Sequence, residues 1–401
     1  MSKLRRGMVL GITICKLLLV LGKSSLVSAH PLLQMLGMVP KDVPSTTGEP
    51  VVAFVDLAAR FFVYGVHNRT AIQDLETLRS LTPIGGLIAN CPACKWASYF
   101  HGSGSTRQSV GFEWFLDVDA VITFGQQPSL GLVVKGRFEA ESIARALQAR
   151  GFAVTTISGV EVWYRFDDYE ALKDRDKFDP FWGYVGSSAR ITLVGDCLLA
   201  AQTWPSIEAM LSAYKGKQPS LLDDPALQAL AQTVTMRPGL LTQALFYRWN
   251  DLQPQREHAR EFCKRMGITF EPALPPFQLA VLADIQLGQL EEDRDQIFLI
   301  GLFYPNPLDA SKAADVLANR VARYTAPLRT GRTSGSFVEE YGGTVSSYVL
   351  NLFLAEGAVA IVEVRYPVPK PPEWWIALPI PSGLLELFVI GIITDDCWFF
   401  W

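Results

Sequence analysis

The sequence predicts an α+β protein in which one unit of strands around a small amphipathic helix occurs twice. A helix over 140–150 places Ala140, Ile143, Ala144 and Leu147 on one face, an i, i+3, i+4, i+7 set. A second helix, over 310–324, repeats it with Ala310, Ala313, Ala314 and Leu317. Runs rich in Val, Ile, Phe and Tyr frame both helices, so that Val118–Gln202 and Leu279–Tyr366 read as two copies.

Taken in order, 30–50 carries Pro31, Pro40, Pro44 and Pro50 with Ser45-Thr46-Thr47-Gly48, the composition of a linker. Val51–Val66 is a long apolar run that predicts mainly strand, and Thr70 is placed to cap a helix reaching about Leu81. Val110–Phe124 and Leu130–Lys135 form a hairpin around Gly125-Gln126-Gln127-Pro128, and Phe152–Arg165 returns as strand after the helix. Arg190–Gln202 alternates as a strand does. Pro205 then opens a helix to Tyr214 with Ile207, Met210, Leu211 and Tyr214 inward. A helical and loop-rich stretch leads to a second hairpin, Leu279–Leu287 with Gln296–Tyr304. Asp309 caps the second repeat helix, and Thr344–Leu354 and Ala358–Tyr366 are strands.

The copies align as Gly136-Arg-Phe-Glu-Ala with Asn306-Pro-Leu-Asp-Ala, and as Gly159-Val-Glu-Val-Trp-Tyr with Gly343-Thr-Val-Ser-Ser-Tyr. Each reads β-α-β-β-α-β, helices on one face of an antiparallel sheet, the ferredoxin-like arrangement. The expected domains are 51–189 and 190–368, preceded by the linker and followed by a tail at 369–401.

The chain of 401 residues is 49% hydrophobic and 19% charged, a globular composition. Its net charge of -4 offers no basic face, so a nucleic-acid partner is not expected. Residues 1–29 read as a signal peptide or retained anchor: Lys3, Arg5 and Arg6 precede an apolar run, and Val27-Ser28-Ala29 are small residues at a cleavage position. Arg5-Arg6 also resembles a twin-arginine signal. Both readings place the mature protein outside the cytoplasm, periplasmic or extracellular, and associated with the membrane.

Cys91-Pro-Ala-Cys94 is the sharpest chemical motif. In an exported chain a structural disulfide is the simpler use of Cys91 and Cys94, and a thiol/disulfide oxidoreductase is the alternative. Cys197 lies in an apolar strand, as a core thiol would. The insertion Asp167–Gly186 mixes five aspartates with aromatics and lacks the alternation of a calcium loop. No nucleophile elbow, phosphate loop, dinucleotide fingerprint or metalloprotease motif occurs, so no catalytic residue, metal or cofactor is assigned. The C-terminal tail opens on Trp374 and Trp375, continues through Leu387 and Phe388, and ends on Trp398, Phe399, Phe400 and Trp401. Such aromatic flanks suit a membrane surface or a partner within it, and the unbroken apolar part is too short to span.

The run from Gly136 to Leu147, with Gly159-Val-Glu-Val-Trp-Tyr, Gly195-Asp-Cys-Leu-Leu-Ala-Ala and Ser220-Leu-Leu-Asp-Asp-Pro, resembles a family of exported bacterial proteins of unknown function. The resemblance implies tandem ferredoxin-like domains behind a signal or lipid anchor, and it brings no catalytic residue. The reading is a non-enzymatic, membrane-proximal binding or structural subunit that contacts another membrane or extracytoplasmic protein.

Overall fold

The computed structural model describes residues 30–44, 50–63, 69, 106–126, 129–168, 170, 188–252, 261, 272–288, 295–324, 336–340, 342–352 and 356–367. The protein is α+β, and its described strands form one twelve-stranded sheet in the order β11-β12-β10-β9-β8-β1-β2-β3-β7-β6-β5-β4. The strands are β1 (Val52–Asp56), β2 (Val118–Phe124), β3 (Gly131–Gly136), β4 (Ala153–Ile157), β5 (Val160–Arg165) and β6 (Ala189–Val194). They continue with β7 (Cys197–Ala201), β8 (Leu240–Arg248), β9 (Leu279–Gln286), β10 (Asp295–Tyr304), β11 (Thr344–Asn351) and β12 (Ala358–Pro367). Every pairing is antiparallel.

That topology corrects the expectation of two ferredoxin-like domains. A split β-α-β unit sets two parallel strands side by side, which this sheet lacks among the described strands. The two halves also share one sheet. They join where β1 meets β8, with Phe54 opposite Ala244 and Val55 opposite Gln243. The expected boundary at 189/190 falls inside the first half, between two residues of β6.

The order of strands and helix is the same in the two halves. In the first half a meander β1-β2-β3 leads to helix α5 (Ala140–Ala149), and the hairpin β6–β7 returns so that β7 pairs with β3. In the second half β8-β9-β10 leads to α8 (Pro307–Ala322), and the hairpin β11–β12 returns so that β12 pairs with β10. Leu147 and Leu317 are both fully buried in the same core layer. The counterpart of β11 is therefore β6, not β5, which corrects the alignment of Gly159 with Gly343. The first half also carries an extra hairpin, β4–β5, and β5 pairs with β6.

Both faces of the sheet are covered, so its central strands are buried continuously rather than at alternate residues. All residues of β1 and β9 are buried. One face is packed by α2 (Leu57–Val63) through Leu57 and Phe61, by α5 through Ile143 and by α8 through Ala313 and Val321. Three further short helices are α3 (Thr106–Val110), α4 (Trp114–Asp117) and α9 (Phe337–Glu340). On that face Gly111, at φ +85°, lets the chain pass where a Cβ would stand 2.5 Å from the Ile143 backbone. The other face is packed by α1 (Pro31–Leu36), α6 (Trp204–Tyr214) and α7 (Pro225–Thr235).

Local chemistry explains where the elements depart from the sequence reading. Residues 30–43, expected as linker, form α1 and a turn, with Leu32, Met35, Leu36 and Val39 buried. His30 caps that helix, its Nδ1 accepting from the Leu32 amide at 3.1 Å, and burial pulls its pKa down to about 4. The run expected as one strand from Val51 turns helical at Leu57, because Asp56 Oδ1 accepts from the Ala59 amide at 2.7 Å. Asn306, not Asp309, is the cap of α8, its side chain accepting from Leu308. In α6, Ile207, Met210 and Leu211 are buried as expected, whereas Tyr214 is 41% exposed. The strand β8 lies in the stretch expected to be helical and loop-rich.

Candidate functional site

The two ends of the sheet differ in character from its middle. Among the described residues β11 pairs only with β12, and β4 pairs only with β5. Their outward backbone groups have no strand partner among the described residues. Soluble proteins blunt such edges with charge, proline or a bulge. Neither strand does so: β11 reads Thr-Val-Ser-Ser-Tyr-Val-Leu-Asn and β4 reads Ala-Val-Thr-Thr-Ile. Val154 on β4 is 50% exposed and Leu350 on β11 is 38% exposed.

The faces of β11 follow from its register on β12. Val345, Ser347 and Val349 stand opposite Val364, Val362 and Ala360, over the layer that holds α8. Ser346, Tyr348 and Leu350 stand opposite Glu363, Ile361 and Val359, over the other layer. Tyr348 is anchored there. Its hydroxyl donates to Glu363 at 2.6 Å, Arg237 pairs with the same carboxylate at 2.6 Å, and the guanidinium lies 5.5 Å from the Tyr348 ring centre. Burial and the neighbouring Glu363 push the Tyr348 pKa up. The edge is thus held in place from its inner side.

Two buried polar clusters lie inside. At one end of the seam, Asp284 on β9 accepts from Gln243 Nε2 at 2.6 Å, with Gln296 beside it and Arg60 of α2 acting on it electrostatically. Burial is the larger effect and pushes the Asp284 pKa up to about 6. Gln243 Oε1, Asp284 Oδ1 and Gln286 Oε1 find no donor. A proton on Asp284 would supply one. Asp56 behaves alike: burial, helped by Asp119, raises it to about 6. Arg69 pairs with Asp119 at 3.0 Å.

The second cluster is centred on Arg190 of β6, whose side chain is fully buried. Its guanidinium meets Asp168 at 2.7 Å, donates to the Phe166 carbonyl at 3.0 Å and lies 4.8 Å from the Trp204 ring centre. Asp168 in turn accepts from the Trp204 amide at 3.1 Å. Desolvation lowers the Arg190 pKa, and Asp168 and Asp167 oppose that. This arrangement is structural: it ties the start of the aspartate-rich insertion to the first turn of α6.

A cleft of about 310 Å³ opens at the other end of the seam, lined by Asp224, Arg248, Trp249, Asn250, Phe277 and Gln278 among others. Its charges are committed to the fold. Asp224 caps α7, accepting from Ala226 and Leu227, and Arg248 donates to the Val43 carbonyl at 3.0 Å. Trp249 and Phe277 pack edge to face at 4.7 Å.

Cys197 is a buried, free thiol in β7, and burial pushes its pKa up to about 12, so it is unreactive as a thiolate. Cys91 and Cys94 lie outside the described residues, as do Trp374, Trp375, Leu387, Phe388, Trp398, Phe399, Phe400 and Trp401, and residues 1–29. Among the described residues there is no group of three or more His, Cys, Asp or Glu placed to hold a metal, and no helix is long and apolar enough to cross a membrane. The sequence reading took both segments as strand and missed that β4 and β11 end the sheet, although a signal was present: both are uncharged and carry small hydroxyl residues. Comparison with family models, with curated proteins and with solved structures gives no match.

Proposed function

We propose that this chain is a non-catalytic, exported and membrane-proximal subunit that contacts another protein through the ends of its sheet. The observation that carries the reading is the pair of uncharged strands, β4 and β11, each with one described neighbour. An edge of this kind binds by strand addition, in which backbone hydrogen bonds give affinity and alternate side chains give selectivity. Buried Asp56 and Arg190 fit the same reading, because Asp56 accepts from the first turn of α2 and Arg190 pairs with the Asp168 that holds the start of α6. In this reading residues 1–29 direct export, the tail at 369–401 lies against the membrane, and the two halves arose by duplication of one β-β-β-α-β-β unit.

The test is site-specific photocrosslinking in membranes of the producing cell, with the crosslinker at Thr155 of β4 and Ser346 of β11, and at the exposed Phe62 of α2, beside the central strands, as a control away from both edges. Stoichiometric protein adducts at an edge position and none at Phe62 support the reading. Adducts only to lipid, or none, contradict it.

A further inference from the structure

We propose that β11 pairs antiparallel with β11 of a second copy of this chain, about a twofold axis through Ser347, so that two sheets become one. The inference rests on reading the sheet ends as interaction edges, and names the occupant of one of them. The molecule itself shows what such an edge accepts. In the first half β6 occupies the place that β11 occupies in the second, and β6 is covered by an antiparallel strand, β5, with Trp163 opposite Ile191 and Tyr164 opposite Arg190. Among the described residues the second half has no counterpart of the β4–β5 hairpin, and β11 has no strand on its outer side.

Composition selects the occupant. In a twofold antiparallel pair a strand meets its own residues, so any charge on it would face a like charge or lie close to one. From Thr344 to Asn351 there is none. Directly opposite residues must lie on the same face, which requires the axis to pass through a residue and not between two. With the axis at Ser347, Val345 of each copy meets Val349 of the other, over the layer packed by α8, and the two Ser347 hydroxyls meet at the axis. On the opposite face Ser346 meets Tyr348 and Thr344 meets Leu350. Two β-branched pairs flank a hydroxyl pair, a favourable cross-strand combination. The contact is isologous and closes at two copies, whereas pairing β11 with β4 of the next copy would be head to tail and would not stop.

The full-length chain in detergent is examined by sedimentation over a wide concentration range, alongside Ser347→Lys, Ser347→Cys and Ser346→Cys. The wild type is expected to be a dimer. Ser347→Lys opposes two ammonium groups at the axis and should weaken the dimer about tenfold or more without changing the melting of the monomer. Under mild oxidation Ser347→Cys should form an interchain disulfide absent from the wild type, because residues opposite each other in an antiparallel pair have Cα atoms about 4.5–5.5 Å apart, within disulfide reach. Ser346→Cys, opposite Tyr348, should not. A wild type that stays monomeric, a dimer indifferent to Ser347→Lys, or equal crosslinking at 346 and 347 overturns the proposal. Crosslinking of β11 to a different protein would overturn it too, while leaving the wider reading of the edges intact. The absence of any protein at either edge removes both.

Discussion

The Arg190 guanidinium, fully buried on β6, lies 2.7 Å from the Asp168 carboxylate. Asp168 also accepts from the amide of Trp204, the first residue of α6. One carboxylate therefore balances a buried charge and holds a helix start, and the ring of Trp204 closes over the same cation.

Removing one partner should be costly. Asp168→Ala leaves Arg190 buried and unpaired and is expected to destabilise the protein by about 3–5 kcal/mol. The double variant Arg190→Met/Asp168→Leu should recover most of that loss. Denaturant titration of the four chains checks it, and additive single effects would contradict the account.

Asp284 should make stability depend on pH between about 4 and about 6. Its carboxyl has a folded pKa of about 6 against an ordinary 3.8. Between those values the folded protein binds a proton that the unfolded chain has released. Stability therefore falls as pH rises from about 4 to about 6, and stays at the lower level above that. Asp284→Asn is expected to stabilise the protein at pH 7 by about 1–3 kcal/mol, with the gain vanishing toward pH 4. Thermal melts across that range decide it, and parallel profiles for the two chains would refute the assignment. His30 has the opposite sign. Its pKa is lowered to about 4, so its contribution is lost as pH falls from about 6.5 toward 4, and His30→Asn should remove that acid-side slope.

The equivalent helices should carry comparable weight. Leu147→Ala and Leu317→Ala each delete a fully buried side chain from one core layer and should each cost about 2–5 kcal/mol. If either proves neutral in chemical denaturation, its helix is not packed on the sheet as described.

Much of the fold is legible in the sequence, and the exceptions have physical causes. The repeat helices are legible because a surface helix must write its buried face in a 3.6-residue period, and Ile143 with Leu147 does so. The hairpins β2–β3 and β9–β10 are legible because their apolar runs are long and bounded by polar turns. The strand β8 is not, since Leu240–Arg248 contains Leu, Gln, Ala and Arg, all good helix formers, and becomes strand through its pairing with β1 and β9. Missing it splits the sheet into two domains on paper. The helix α1 is hidden by proline, which reads as linker but occupies the first helical turn, where its absent N–H is no loss. The clusters around Asp284 and Arg190 were out of reach for another reason: each assembles residues far apart in sequence, and no spacing announces them.

The most direct test of the account is native-state hydrogen exchange across the seam between β1 and β8. A single twelve-stranded sheet predicts that the seam amides of β1 and β8, where Phe54 stands opposite Ala244 and Val55 opposite Gln243, exchange only through global unfolding, with the same free energy as those of β2 and β9. If the seam amides exchange through a lower-energy opening while β3 and β10 stay protected, the halves are separate domains and the single sheet is wrong.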